Sequence, residues 1–65
     1  MPTGIVQFFL EHKGYGYIRV PETREEFYVH RRQLKAPVKR GDRVRFVVRG
    51  DKHGLFAAEV ERTGY

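Results

Sequence analysis

Between Asp42 and Arg49 the chain alternates residue by residue: Val44, Phe46 and Val48 fall on one side of an extended backbone, with Arg43, Arg45, Val47 and Arg49 on the other. A period of two is the signature of a β-strand with one buried face, because successive side chains point to opposite sides. Nowhere do apolar residues recur at helical spacing. Such a strand needs a second layer over its apolar face and neighbouring strands for its backbone N–H and C=O groups. In 65 residues without a cysteine, no disulfide or thiolate metal site can staple the fold, so one modest core must hold it. Short strands in so small a chain hide their edges by closing on themselves. The expectation is therefore a single all-β domain over residues 1–65, a five-stranded antiparallel barrel.

The strands follow from the same patterning and its punctuation. The first covers Gly4 to Leu10, with Val6 and Phe9 inward and a local irregularity that turns Phe8 outward. Glu11-His12-Lys13-Gly14 is a turn, and the second strand runs from Tyr15 to Val20 with Ile18 inward. Pro21 to Glu25 connects to a third strand, Glu26 to His30, whose Phe27 and Val29 point inward. Arg31 to Gly41 is a loop holding one helical turn near Arg32-Gln33-Leu34, with Leu34 and Val38 plugging the barrel. The fourth strand is Asp42 to Arg49, Gly50 to Gly54 is a turn, and the fifth strand runs from Leu55 to Arg62 with Ala58 and Val60 inward.

Lys13-Gly14-Tyr15-Gly16-Tyr17-Ile18 carries the strongest functional signal. On a strand, Tyr15 and Tyr17 share a face while Gly16 points the other way and allows close packing. Two rings side by side can accept consecutive unstacked bases. The ordinary alternative is half-buried strand surface, since aromatic residues are enriched in strands. A second aromatic strand, Phe27-Tyr28-Val29-His30, puts Tyr28 and His30 on one face and favours the platform.

Charge points the same way. Residues 1–30 carry Lys13, Arg19 and Arg24 against four glutamates, whereas residues 31–49 carry eight basic residues against Asp42 alone. A polyanionic partner is the natural inference. The bare alternative is a charge that only keeps a small domain soluble. Arg43, Arg45 and Arg49 read as a solvated face rather than a binding surface, attracting a polyanion at long range.

At this point the residues resemble a cold-shock domain over nearly the whole chain. Gly4-Ile5-Val6 with Phe8-Phe9 resembles the family's opening strand. Lys13 to Ile18 resembles its first ribonucleoprotein motif, and Tyr28-Val29-His30 its second. Gly41 to Val44, and Lys52-His53-Gly54 followed by Ala57 to Val60, resemble its fourth strand and its closing loop and strand. The resemblance implies an OB-type barrel that binds single-stranded RNA and DNA, with Phe8, Tyr15, Tyr17, Tyr28 and His30 as stacking surface and Lys13 on phosphate. It further implies an ATP-independent RNA chaperone. Placed outward, each of the five rings would otherwise expose apolar area to water.

This chain departs from the family pattern at several positions. Phe8 stands where the family usually has Trp, and Arg31 where an aromatic normally follows the motif histidine. A guanidinium can stack on a base and pair with phosphate, so Arg31 trades ring area for charge. The loop from Arg31 to Gly41 is shorter than usual and lacks its usual aromatic. Gln7 replaces a common lysine, and His53 stands where a basic residue is common. Phe56 occupies a position often polar; it is either a further ring at the groove edge or a core residue, and the alternation with Ala58 favours the core.

Other classes have little to stand on. The three histidines offer no i, i+4 pair and there is no cysteine, so no metal or other cofactor is expected. Adjacent Glu25 and Glu26 face opposite ways, and Lys13-Gly14-Tyr15-Gly16 lacks the glycines and helix of a dinucleotide site, so no enzyme and no small-molecule substrate are expected. An SH3-like barrel gripping a Pro-rich peptide would want a Trp or acidic neighbours, and Trp is absent. An OB-type factor acting on the ribosome is the remaining alternative. The opening residues carry no basic-then-apolar pattern, and the apolar runs Phe8 to Leu10 and Phe46 to Val48 are three residues each, against the ~20 of a membrane span. A cytoplasmic location, no membrane contact, and a monomer with a swapped or paired dimer as the alternative complete the expectation.

Overall fold

The computed structural model describes residues 2–63, so positions 1, 64 and 65 of the expected domain lie outside the described residues. Five strands, β1 Thr3–Leu10, β2 Tyr15–Val20, β3 Glu25–His30, β4 Arg43–Asp51 and β5 Gly54–Arg62, form a closed barrel in the order β1-β2-β3-β5-β4. A single 3-10 turn, Arg31–Gln33, follows β3. No helix is long and apolar enough to cross a membrane among the described residues.

The seams are antiparallel except one: β3 meets β5 in parallel, at Tyr28 and Phe56. A closed ring with an odd number of strands cannot alternate direction at every seam. Five strands therefore require one parallel junction, and the long connection from β3 to β4 supplies it.

The barrel interior holds Val6, Ile18, Phe27, Val29, Val44, Phe46 and Val60, all buried, with Phe27 and Phe46 in ring contact at 5.5 Å. Val38 is buried beneath the 31–41 segment and Leu34 packs partly against the same core, as expected. That segment is tied down by backbone bonds from Lys35 N–H to the Val60 carbonyl (2.8 Å) and from Gly41 N–H to the Val6 carbonyl (2.8 Å).

Two register shifts set which side chains face out. In β1 the pairing moves from Val6↔Ile18 to Phe8↔Tyr17, so Gln7 is the extra residue of a bulge. Val6 stays inward, Phe8 turns outward and Phe9 packs against the core, which is the irregularity the sequence requires. In the β4–β5 ladder, Arg45 pairs Glu61 and Val47 pairs Ala58, leaving Glu59 and Val60 opposite Phe46. Glu59 adopts φ +52°, the left-handed conformation of an extra residue.

That second bulge corrects the expected alternation in β5. Beyond it Val60 is inward, but on its other side Ala57 takes the core position, Ala58 is buried as well, and Phe56 is displaced from the core to half-buried surface. Val48 is the other correction: it remains 38% exposed. Its face of the strand is the expected one, since it pairs with Ala57, but β1 flanks β4 only from Arg43 to Arg45, so no strand covers Val48 from that side.

Candidate nucleic-acid interface

Strand register builds the site. Phe8 pairs with Tyr17, Tyr17 with Tyr28 and Tyr28 with Phe56, so four rings form one row across β1, β2, β3 and β5. Side chains at paired positions project from the same side of the sheet. A second row lies one pleat away, where Leu10 pairs with Tyr15 and Tyr15 with His30.

Ring contacts knit the two rows together. Phe8 and Tyr17 sit 5.6 Å apart at 52°, Tyr17 and Tyr28 6.0 Å apart edge to face, and Tyr15 and Tyr28 5.8 Å apart and nearly parallel at 24°. These separations favour mutual packing, so the rings support one another. Tyr28 is 36% exposed; Phe8, Tyr15, Tyr17, His30 and Phe56 are half-buried. The surface is a pre-ordered aromatic patch rather than a set of free side chains.

Gly16 permits this. A Cβ at that position would lie 2.2 Å from the Phe8 carbonyl oxygen and 2.8 Å from Phe9 Cα, so β2 crosses β1 closer than any side chain allows. The neighbouring turn from Glu11 to Gly14 closes on the Leu10 carbonyl, which accepts from Lys13 N–H (3.0 Å) and Gly14 N–H (2.7 Å). It leaves Lys13 exposed beside the Leu10–Tyr15 row.

His30 is fixed by its backbone surroundings. Its Nδ1 accepts from the Arg32 N–H at 3.1 Å, capping the 3-10 turn, which leaves Nε2 as the ring's donor toward a ligand. Arg31 lies across the β1–β2 turn: an Nη2–H donates to the Glu11 carbonyl at 2.6 Å, and its guanidinium covers Gly14, at φ +78°. It remains exposed at the rim of a cleft of about 520 Å³, whose floor includes Phe9, Leu34 and Val38. Arg31 is thus held at the edge rather than within the rows.

His53 sits in the exposed β4–β5 turn, where the Asp51 carboxylate accepts its N–H at 2.8 Å. Tyr17, Tyr28, His53, Leu55 and Phe56 line a recess of about 300 Å³. The register therefore gathers the nine expected residues on or around one surface, Phe56 included, although alternation favoured the core for it. Two apolar side chains on that surface were not expected there: Leu10, 37% exposed, and Leu55, 63% exposed. Leu10 was available to reasoning, because a bulge that turns Phe8 outward turns Leu10 outward two residues on. Leu55 follows only from the turn geometry.

Basic charge divides into two sets. Arg45 bonds Glu61 at 2.7 Å, Arg49 bonds Glu59, and Arg62 reaches Asp42 at 3.7 Å, so these guanidinium groups are locally neutralised. Lys35 also lies 4.0 Å from Glu61, whereas Lys13, Arg19, Arg24, Arg31, Arg32, Lys39, Arg40, Arg43 and Lys52 carry no ion pair among the described residues.

Comparison with known proteins gives a consistent family. The sequence model of the 'Cold-shock' DNA-binding domain matches residues 2–63. The chain is 36% identical over 62 residues to the major cold shock protein CspA of Pseudomonas aeruginosa, covering 89% of this chain and 88% of the relative. It is 30% identical over 63 residues to the cold shock protein CapB of Pseudomonas fragi, covering 91% and 90%. Among solved structures, drosophila Unr CSD456 superposes with a TM-score of 0.75 at 20% identity, over 94% of this chain and 26% of that one, a likeness of fold.

Proposed function

This chain belongs to the 'Cold-shock' DNA-binding domain family, and from that premise we propose that it binds single-stranded RNA and DNA by stacking unpaired bases on Phe8, Tyr15, Tyr17, Tyr28 and His30. Phe56 adds a ring at the β5 end, and Lys13, Arg31 and His53 meet backbone phosphates around the rim. The observation that carries this reading is the row Phe8–Tyr17–Tyr28–Phe56 across four strands. Stacking on aromatic rings discriminates little between bases, so sequence preference is modest and leans to pyrimidine-rich strands.

Binding the open strand and not the duplex pulls weak hairpins toward melting by mass action. The protein then acts as an ATP-independent RNA chaperone in the cytoplasm, with no chemistry performed on the strand. The test is a tyrosine-fluorescence titration with oligo-dT or oligo-U against a duplex of equal length at two salt concentrations. Quenching by the single strand at low salt, absent with the duplex, supports the reading; no response to the single strand overturns it.

A further inference from the structure

We propose that a second, ring-free surface beside the aromatic rows, built by Arg19, Arg40 and Arg43 around Ile5 and Pro21, grips the phosphodiester backbone of the same nucleic acid where it leaves the rings. This rests on the single-strand reading above. The register carries it: Ile5 pairs with Arg19 on one side and with Arg43 on the other, so the three side chains form one row across β2, β1 and β4. Arg40 joins them because the Gly41 N–H bonds the Val6 carbonyl at 2.8 Å, laying the end of the 31–41 segment along β1.

Two adjoining clefts, of about 360 and about 270 Å³, share Ile5 and Pro21 as floor; Arg19 and Arg40 line the first and Arg43 the second. Arg19 is two residues from Tyr17 on the same face of β2, about 7 Å along the strand, so a backbone leaving the aromatic row reaches it at once. Neither Ile5 nor Pro21 offers a π-face to stack a base. What the surface offers is three exposed guanidinium groups, which match phosphate in geometry and charge.

The contrast with the three arginines of β4 and β5 that are ion-paired supports the assignment. Arg45, Arg49 and Arg62 are closed by Glu61, Glu59 and Asp42, whereas Arg19, Arg40 and Arg43 have no ion pair among the described residues. Two carboxylates border the surface: Glu26 opposite Arg19 on β3, and Glu22 beside Arg43. Glu26 repels phosphate from the β3 side of Arg19 and Glu22 weakens the attraction at Arg43, so the path from Tyr17 over Arg19 runs first toward Arg40.

The phosphates could come from a continuing single strand or from a duplex stem flanking it, and the experiment separates the two. Parent, Tyr17→Ala and the triple variant R19Q/R40Q/R43Q are titrated with three ligands: an oligo-dT of about four nucleotides, the same segment extended to about ten, and the same segment carrying a hairpin stem. Circular dichroism melts check that the triple variant folds. Neutralising three contacts lowers the slope of log affinity against log salt by about 2 on a single strand, so the weakening between roughly 50 and 200 mM salt shrinks about twentyfold. That change is expected on an extended ligand and not on the short one, and the arm that shows it identifies the source. A parent-like slope on both extended ligands overturns the second surface while leaving the rings intact. Parent that ignores the short strand, or Tyr17→Ala that binds it like parent, overturns the ring platform and this inference with it.

Discussion

Gly16 concentrates the fold and the site into one missing methyl group. The Cβ of an alanine would meet the β1 backbone, the Phe8 oxygen at 2.2 Å and Phe9 Cα at 2.8 Å, so relief requires β1 and β2 to part. Gly16→Ala is expected to lower unfolding free energy by about 2 kcal/mol or more, read from a denaturant melt, and to weaken binding because Phe8 and Tyr17 lose their pairing. The rings behave differently, since they lie outside the buried core. Tyr17→Ala and Tyr28→Ala should each weaken single-strand affinity by about 1 to 3 kcal/mol with a smaller loss of stability than Gly16→Ala, whereas His12→Ala, in the exposed β1–β2 turn, should bind like parent. Parent-like affinity for both tyrosine variants would place the bases elsewhere.

At the scale of elements, the two bulges decide which rings face out, and they differ in legibility. The β1 bulge can be read because Val6 and Phe9, three residues apart, fall on opposite faces of a regular strand, so turning both inward requires one extra residue between them. The β5 bulge cannot, because Ala57 and Ala58 are small enough for either parity to fit, and no large residue betrays the extra position at Glu59. Tyr15–Val20 agrees with the sequence to the residue, bounded as it is by a glycine turn and a proline; β4 begins one residue later than the pattern places it and runs two residues further, because the hairpin pairing continues through Gly50 and Asp51. Glu59 makes its own prediction. At φ +52° a β-branched side chain is strained while glycine is not. Glu59→Val should destabilise the barrel by about 1 to 3 kcal/mol. Glu59→Gly should stay within about 1 kcal/mol of parent, relief of strain offsetting glycine's chain entropy and the lost Arg49 contact. Equal melts for the two would mean the bulge is not held at Glu59.

Over the whole molecule, the net charge of +5 is a poor guide to where a polyanion feels the protein. The sequence places eight basic residues between 31 and 49 and says nothing of their partners. Three-dimensional pairing silences part of that run, because the glutamates facing Arg45 and Arg49 lie in β5, beyond the reach of any local pattern. A guanidinium beside a carboxylate presents a dipole, whose field falls faster with distance than that of a free charge, and salt screens what remains within about 10 Å. The expectation that all of β4's arginines attract at long range is therefore narrowed to Arg43. Charge-neutralising Arg45→Gln and Arg49→Gln together should leave the salt slope of oligo-dT binding unchanged and alter the low-salt association rate by less than about threefold, because steering follows the free charges. Stopped-flow association at a series of salt concentrations measures both quantities. The accompanying loss of stability should not exceed about 1 kcal/mol per pair, both pairs being largely solvent-exposed. A slope that falls by a full unit or more would mean that these arginines leave their glutamates to meet phosphate, and that β4's outer face is part of the binding surface.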